Sequence, residues 1–174
     1  DKKAKMKVRH IIFDGNEQLT DSKITGSLFR KGAFGKINEA GKLKNFFKSK
    51  KFTPERYDEA KKSLIEKYNE LGYRDAIIES DSVVDLGNNL VDIYINIYEG
   101  QKYYLRNVSW VGNTIYNSDR MSEALSMKRG DVYNQKQLDE RLNRDDNSIG
   151  NQYYNHGYVF SRIEPREEEI DGDS

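Results

Sequence analysis

Apolar positions along the chain follow two different spacings, and each spacing predicts a different element. Between residues 90 and 98, aliphatic side chains alternate with polar or aromatic ones, a period of two that predicts a strand with one face on a core. Residues 74–84 predict the preceding strand, and the Gly- and Asn-containing stretch 85–89 predicts the turn of a hairpin. Between Thr53 and Gly72 the spacing becomes three and four, which predicts an amphipathic helix.

The sequence also marks where the other elements of this first half begin and end. Thr53-Pro54 supplies an N-cap and a first-turn proline for the long helix, and Gly72 suits the left-handed position after its last turn. A strand is predicted over 7–14 and ends at Gly15-Asn16, and a short helix follows from about residue 20. The order β-α-α-β-β predicts an α+β fold, with two helices packed on a small mixed three-stranded sheet.

The two halves of the chain repeat each other. Residues 8–16 reappear as 105–113 with an offset of 97, and residues 68–73 reappear as 153–158 with an offset of 85. Self-similarity of this kind indicates tandem modules. A repeated small module is more often a binding or positioning device than an enzyme.

We therefore predict two modules, residues 1–101 and 102–174, within a piece of a longer protein. The second module is predicted to contain strands at 104–111 and 158–165 and helices near 118–126 and from about Asn134. Its last helix gains about one turn and carries poor helix formers at 144–150, so we expect it to be irregular there. The last strand of this module is missing, and we expect either an incomplete sheet or a strand taken from a neighbouring chain.

Composition and charge narrow the range of functions. The chain has no net charge, yet its 12 Tyr and 7 Phe argue against disorder. Nine Lys or Arg accompany two Glu between residues 30 and 56, whereas the tail from Glu164 carries six acids and one Arg. This asymmetry suggests oriented interactions, although solvated charge is its commoner cause. The lack of Cys leaves the compartment open, and no apolar run approaches the ~18 residues that span a membrane.

A search for catalytic or ligand-binding residues returns none. His10 and His156 lie apart from any Cys, His or Glu at metal-binding spacing, and the acidic stretches 14–17 and 171–173 lack the ligand register of an EF-hand loop. Neutral charge argues against nucleic acid. We expect no catalytic site, cofactor, metal or small-molecule substrate, and a chain that is not an enzyme. A soluble acid/base hydrolase stays open as the alternative of another class.

Four dipeptides, in the same order in both copies, carry a resemblance to a known family: Gly15-Asn16, Gly72-Tyr73, Gly112-Asn113 and Gly157-Tyr158. With Glu99-Gly100 between the copies, they resemble tandem polypeptide-transport-associated (POTRA) domains of outer-membrane protein assembly factors. The long inter-helix loop is similar to that of the third such domain, which makes the second copy the fourth.

The resemblance implies the periplasmic portion of a bacterial outer-membrane protein, an arm attached to the protein's own membrane β-barrel. Its partners would be unfolded outer-membrane proteins and accessory assembly lipoproteins. The arm of a two-partner secretion or autotransporter-assembly pore fits the same motifs.

Two candidate contact regions are predicted, the first from this resemblance and the second from the residues of the insertion themselves. In the family, the strand before the hairpin turn lies at the sheet edge and can accept a strand from another polypeptide, which assigns this role to Ala76, Ile77, Ile78, Glu79, Ser80, Asp81, Ser82 and Val83. Glu79 and Asp81 could instead be charges that keep the edge unpaired. The second region is a basic and aromatic part of the insertion: Lys44, Phe46, Phe47, Lys48, Lys50 and Lys51. It would contact lipid headgroups or a partner subunit, or simply form a solvated loop.

Overall fold

The computed structural model describes residues 6–21, 23–24 and 52–170, and the chain divides into two units. Unit 1 comprises Asp1–Tyr68 and Asp75–Gly100, and unit 2 comprises Asn69–Arg74 and Gln101–Ser174. The predicted basic contact region lies outside the described residues, and its members are Lys44, Phe46, Phe47, Lys48, Lys50 and Lys51.

Unit 1 is built on a sheet whose central strand is the alternating apolar segment of the sequence. Its elements are β1 (Lys7–Asp14), α1 (Pro54–Glu70), β2 (Ile77–Asp85) and β3 (Leu90–Tyr98). The strand order is β1-β3-β2, with β3 parallel to β1 and antiparallel to β2. The predicted α+β class with a mixed three-stranded sheet is therefore confirmed. Residues 21, 23 and 24 are also helical, where the short first helix is predicted.

The long helix α1 begins and ends where the sequence predicts. The backbone N–H of Arg56 donates to Thr53 Oγ1 at 3.3 Å and caps the first turn. After the helix, Gly72 has a φ of 95°, a left-handed conformation that favours glycine. The buried stripe of the helix consists of Tyr57, Ala60, Leu64 and Tyr68. Together with the buried aliphatic residues of β3, these side chains form the core of unit 1: Val91, Ile93, Ile95 and Ile97.

Unit 2 is helical in the part that the structure describes. It contains α2 (Ser118–Leu125), α3 (Gln135–Asp139), a π-helical turn (Glu140–Arg144) and α4 (Ile149–Asn155). The predicted helix near 118–126 is thus confirmed. The apolar side chains of these elements form one core cluster: Tyr116, Met121, Leu125, Met127, Leu142, Ile149 and Tyr153.

The helix predicted from Asn134 is interrupted, as its composition indicates. Asn134 caps the first turn, since the N–H of Gln137 donates to its Oδ1 at 3.0 Å. The π-helical turn follows directly, and the helix restarts at Ser148, whose Oγ accepts from the N–H of Asn151 at 3.2 Å. The irregular segment therefore begins about one turn earlier than the predicted range 144–150.

The strands predicted at 104–111 and 158–165 are not formed, and that prediction is wrong for the described part of unit 2. Its β structure there is a single antiparallel bridge between Tyr104 and Val132. In unit 1 both outer strands pair with β3 and not with each other. Residues 102–170 contain no counterpart of β3, so alternation alone cannot produce a sheet there. These residues contain no sheet, so they show less β structure than the expected incomplete sheet.

Candidate functional site

The strand-accepting region predicted from the sequence falls on β2, an edge strand of the unit 1 sheet. This strand begins at Ile77, three residues after the predicted start, and ends at Asp85. Ala76 lies before the strand and is buried, whereas the other seven predicted residues lie on β2. Apart from the half-buried Ile78, every residue of the strand is exposed.

One side of the β2 backbone makes no hydrogen bond to the part of the chain that the structure describes. At the turn, the N–H of Leu86 donates to the carbonyl oxygen of Leu90 at 2.9 Å, and in an antiparallel pair such bonded residues alternate with non-bonded ones. In the register of β2 and β3, this alternation means that every second residue of β2 has its backbone N–H and C=O groups pointing away from β3. These outward groups belong to Asp81, Val83 and Asp85, and no described residue bonds to them.

The acidic side chains of β2 are held within unit 1. Asp81 Oδ2 accepts hydrogen bonds from the Tyr57 hydroxyl at 2.8 Å and from Lys61 Nζ at 3.3 Å. Glu79 Oε2 accepts from Asn96 Nδ2 at 3.0 Å. Burial, and next the bond to Asp81, raise the pKa of the Tyr57 hydroxyl. Both carboxylates thus accept hydrogen bonds from α1 or β3, and Lys61 partly neutralises the charge of Asp81.

An ion pair between a buried carboxylate and a half-exposed arginine lies on the face of β3 that is turned away from the aliphatic core. The side chain of Asp92 is only 4% exposed. Arg9 donates to it from Nε at 2.9 Å and from a second guanidinium nitrogen, and the backbone N–H of His10 donates at 3.1 Å. The hydrogen bond from Arg9 lowers the pKa of Asp92. This pair was not predicted from the sequence, although a lone acid on the outward row of β3 was an available signal.

A second buried carboxylate fixes the end of β3. Glu99 is 6% exposed and accepts hydrogen bonds from the N–H of Gln18 at 2.8 Å, the N–H of Leu19 at 3.2 Å and the Tyr68 hydroxyl at 2.8 Å. It therefore joins the loop after β1, the end of α1 and the end of β3. The Glu99-Gly100 motif contains this residue, but its partners could not be predicted from the sequence.

The Gly-Asn motif ends the first segment of each unit in the same way. Gly15 and Gly112 have φ of 76° and 79°. Asn16 and Asn113 each donate from Nδ2 to the carbonyl oxygen three residues ahead, at 2.7 and 3.1 Å. The surroundings differ, because a Cβ on Gly15 would lie 2.0 Å from the Ile97 carbonyl oxygen, whereas nothing lies within 4 Å of one on Gly112.

The Gly-Tyr motif shows a similar contrast. Gly72 and Gly157 have φ of 95° and 91°, so Gly72 takes the left-handed conformation that the sequence predicts, and Gly157 takes the same conformation. Tyr73 is buried, whereas Tyr158 is 42% exposed. The second copy therefore keeps the backbone conformation of the motif, but its tyrosine is not buried.

Other chemistry is sparse in residues 6–21, 23–24 and 52–170. No group of three His, Cys, Asp or Glu side chains in these ranges could hold a metal ion. No helix among them is long and apolar enough to cross a membrane. The pKa values that shift in this part of the chain belong to Arg9, Tyr57, Lys61, Asp92 and Tyr133. Each has a hydrogen-bond partner in its own unit, and none of these residues belongs to a pair of neighbouring carboxylates.

Comparison with known families agrees with this geometry. The family model described as POTRA, surface antigen variable number repeat, matches residues 6–100 and again residues 103–174. The chain therefore belongs to the POTRA family and carries two copies of its domain. The resemblance inferred from the Gly-Asn and Gly-Tyr motifs is confirmed.

Two individual relatives show where such domains occur. The chain is 25% identical over 165 residues to a Treponema pallidum (strain Nichols) protein named "Putative outer membrane protein assembly factor"; the match covers 92% of this chain and 18% of that protein. Its fold is similar to the crystal structure of POTRA domains 3–5 of Haemophilus influenzae BamA, with a TM-score of 0.57 and 19% identity over 79% of this chain and 51% of that one. The chain thus spans less than a fifth of its curated relative.

Proposed function

We propose that this chain is part of a periplasmic scaffold for outer-membrane β-barrel assembly, and that β2 accepts a strand from an unfolded barrel precursor or an accessory subunit. The observation that carries the proposal is the row of outward backbone N–H and C=O groups at Asp81, Val83 and Asp85, which bond to no described residue. An exposed row of this kind is a template for a further strand.

Backbone pairing would give such a site its tolerance for many sequences. Each hydrogen bond contributes about 0.5–1.5 kcal/mol in water, so a few bonds hold a strand weakly and reversibly. One of the acids that could repel a donor strand is partly neutralised, because Asp81 accepts from Lys61 and Tyr57. This supports strand addition over the alternative in which the acids only keep the edge unpaired.

The name of the Treponema pallidum relative supports the wider setting. It describes an outer membrane protein assembly factor, and we extend that role to this chain as part of the proposal. The basic region from Lys44 to Lys51 stays a predicted second contact, and the same titration tests it.

The test is an NMR titration of the 174-residue chain with a nine-residue peptide that has the alternating pattern of a barrel strand. We expect amide shifts concentrated on residues 77–85. The Val83→Pro variant removes an N–H that faces away from β3, a position where an edge strand tolerates proline. It should weaken peptide binding about tenfold, whereas Val83→Thr, which keeps the N–H, should bind as the native chain does.

The dispersed amide signals of β3 check that unit 1 of Val83→Pro is folded. Equal peptide affinity for a folded Val83→Pro and for Val83→Thr would contradict strand addition at β2. Shifts confined to residues 31–51 would show that the peptide contacts the basic insertion instead.

A further inference from the structure

The strand β2 carries charge of one sign. Its nine residues include three acids, Glu79, Asp81 and Asp85, and no Lys or Arg. Edge strands often carry Lys, which keeps them from pairing with other chains. A strand that carries only acids repels a neighbouring strand with acids directly opposite and attracts one with bases there. The charge of β2 therefore affects which strands it can accept.

Two of these acids have their side chains on the face of the sheet that α1 covers. In the register of β2 and β3, Asp81 is opposite Ile95. Asp85 is likewise opposite Val91, and both β3 residues are buried in the core. Residues directly opposite each other place their side chains on the same face. Asp81 and Asp85 therefore face α1, with Val83 between them.

The helix α1 adds one acid and one base beside these side chains. Lys61 Nζ lies 3.3 Å from Asp81 Oδ2 and 3.3 Å from Asp58 Oδ1. Among the described residues, Lys61 is the one cation that pairs with these carboxylates or with Asp85. Three carboxylates and one ammonium leave a net charge of −2. We call Asp58, Asp81 and Asp85 the acidic row.

The other face of the paired part of β2 is uncharged. Ser80, Ser82 and Val84 alternate with the acidic row along the strand, so their side chains lie on the open face of the sheet. Glu79 also lies there, since it accepts from Asn96 Nδ2 at 3.0 Å. It belongs to the bulge, however, and precedes the regularly paired residues 80–85. The two faces of β2 thus differ in charge.

The outward backbone groups and the acidic side chains belong to the same residues. Asp81, Val83 and Asp85 have backbone N–H and C=O groups that point away from β3. A donor strand that runs antiparallel to β2 would place a residue directly opposite each of them, with its side chain on the α1 face. The donor residues opposite Asp81 and Asp85 are four positions apart. Bases at these two positions would each face an acid.

A second copy of β2 does not suit this edge. If two copies paired antiparallel about Val83, Asp81 of each copy would be opposite Asp85 of the other. Like charges directly opposite each other destabilise a strand pair. The acidic row therefore disfavours pairing between identical chains and favours a donor of opposite charge.

The basic insertion of the chain itself ends near the other edge of the sheet. The N–H of Lys7 donates to the Asn89 carbonyl oxygen, just before β3, at 2.8 Å, so the carbonyl of the preceding Met6 points away from β3. The N–H of Phe52 donates to that carbonyl oxygen at 2.8 Å. Phe52, the first described residue after the insertion, thus lies outside β1, at the edge opposite to β2. This position favours a donor from another polypeptide.

We infer that β2 selects a barrel-precursor strand whose polar row carries Lys or Arg at two positions four residues apart. The polar row would lie on the α1 face, against the acidic row. The apolar row would lie on the open face, beside Ser82 and Val84. Strands of membrane barrels alternate apolar and polar residues, so one segment supplies both rows. The inference rests on the proposed function and adds to it the charge and the facing of the donor.

The probes are two nine-residue peptides with the same apolar row. Alternate residues of the polar row read Lys-Thr-Lys in one peptide and Glu-Thr-Glu in the other. Both are titrated into the 174-residue chain and followed by the amide shifts of residues 77–85. We expect the lysine peptide to bind about thirtyfold more tightly in about 0.02 M NaCl, since two opposite-charge pairs replace two like-charge pairs. In about 0.5 M NaCl screening should reduce this preference to about threefold.

A third peptide separates the facing of the lysines from general attraction. It has the composition of the lysine peptide, but one Lys is exchanged with a neighbouring residue of the apolar row. Its net charge is unchanged, whereas only one lysine can face the acidic row. We expect it to bind about fivefold more weakly than the lysine peptide.

Two charge variants of β2 locate the effect. Asp85→Asn removes one charge from the acidic row and keeps the oxygen that accepts from the N–H of Gly87 at 2.8 Å. The preference for the lysine peptide should fall to about fivefold. Glu79→Gln is the matched control, because it removes a charge from the same strand on the other face and keeps an acceptor for Asn96. It should leave the preference at about thirtyfold.

The outcomes separate this inference from the proposed function. Equal affinity for the lysine and glutamate peptides, with shifts on residues 77–85, would overturn the inference and leave strand addition standing. No shifts on these residues with either peptide would remove strand addition as well. Equal effects of Asp85→Asn and Glu79→Gln would also overturn the inference, since net charge alone would then explain the preference.

A last variant tests the insertion as the occupant. It combines four substitutions: Lys44→Gln, Lys48→Gln, Lys50→Gln and Lys51→Gln. If the insertion occupied the edge of β2, this variant would bind the lysine peptide more tightly than the native chain does, and the inference would be overturned. We expect equal affinity.

Discussion

Replacing Tyr68 by Phe removes one oxygen atom from a fully buried side chain and leaves its ring in place. In the native chain that hydroxyl donates to Glu99 Oε1 at 2.8 Å. Without it, the only bond that Oε1 retains from a residue described in the structure is the longer one from the N–H of Leu19, at 3.2 Å. The substitution therefore isolates one hydrogen bond to a buried carboxylate, with no change in the packing of α1.

The expected loss is about 2 kcal/mol of the free energy of unfolding of unit 1. A hydrogen bond to a charged group contributes about 1.5–3 kcal/mol, and a buried acceptor that loses its donor keeps its desolvation cost. The bond lies in the interior, since Tyr68 and Glu99 are 0% and 6% exposed, so we place it in the middle of that range. Because total stability is typically about 5–15 kcal/mol, the loss is large enough to measure.

The measurement is native-state hydrogen exchange of the β3 amides, which reports the opening of unit 1 separately from that of unit 2. A loss of about 2 kcal/mol makes exchange through opening about thirtyfold faster. Tyr57→Phe is the matched control, because it removes a hydroxyl from the same helix. The side chain of its acceptor Asp81 is 29% exposed, so water replaces the lost donor and we expect a loss of about 0.5 kcal/mol.

Equal effects of Tyr68→Phe and Tyr57→Phe would refute the reasoning, since burial of the acceptor would then make no difference. A loss below about 0.5 kcal/mol for Tyr68→Phe would also refute it, because Glu99 would have to be hydrated in solution. A double-mutant cycle with Glu99→Gln checks the assignment, and we expect a coupling of about 1–2 kcal/mol between the two residues.

Two further predictions concern Asp92 and the repeated glycine. The folded pKa of Asp92 is lowered, chiefly by Arg9. Its contribution to stability is therefore complete above the unfolded value of about 3.9 and is lost as the pH falls through the lower folded value; urea unfolding should show a shallower acid slope below about pH 4 in Asp92→Asn. Gly15→Ala should cost unit 1 at least about 2 kcal/mol in thermal unfolding, whereas Gly112→Ala should cost unit 2 only about 1 kcal/mol. Equal costs would contradict the crowding at Gly15.

The parts of the fold that local chemistry controls could be predicted from the sequence. The cap at Thr53, the buried stripe of α1 and the left-handed Gly72 each depend on residues within a few positions of one another. The alternation of residues 90–98 likewise identifies β3, because burial on one face requires a period of two. These features follow from the chain at short range, and the structure has them where they were expected.

The parts that depend on distant partners could not be predicted. Segment 105–111 has the pattern of a strand, yet a strand exists only with a partner, and the described residues of unit 2 offer none. The pairing of Arg9 with Asp92 follows from a register shift between Val8 and His10, which a single sequence does not reveal. The edge strand was predicted from the family resemblance. Residues 81, 83 and 85 could be identified as its outward residues only from the hydrogen bond at the hairpin turn.

The bulge between Ile78 and Ser80 limits the length of β2 that can pair with a bound strand. It therefore also limits the time for which that strand would stay bound to unit 1. Regular pairing is available only from Ser80 to Asp85, which is about 20 Å of strand, whereas a strand that spans the outer membrane needs about 9–11 residues. Under the proposed function, β2 would therefore hold somewhat more than half of a barrel strand and leave the rest unbound. Pairing over so short a length favours a short residence time. The unpaired end of the strand stays exposed, so the next acceptor can bind it.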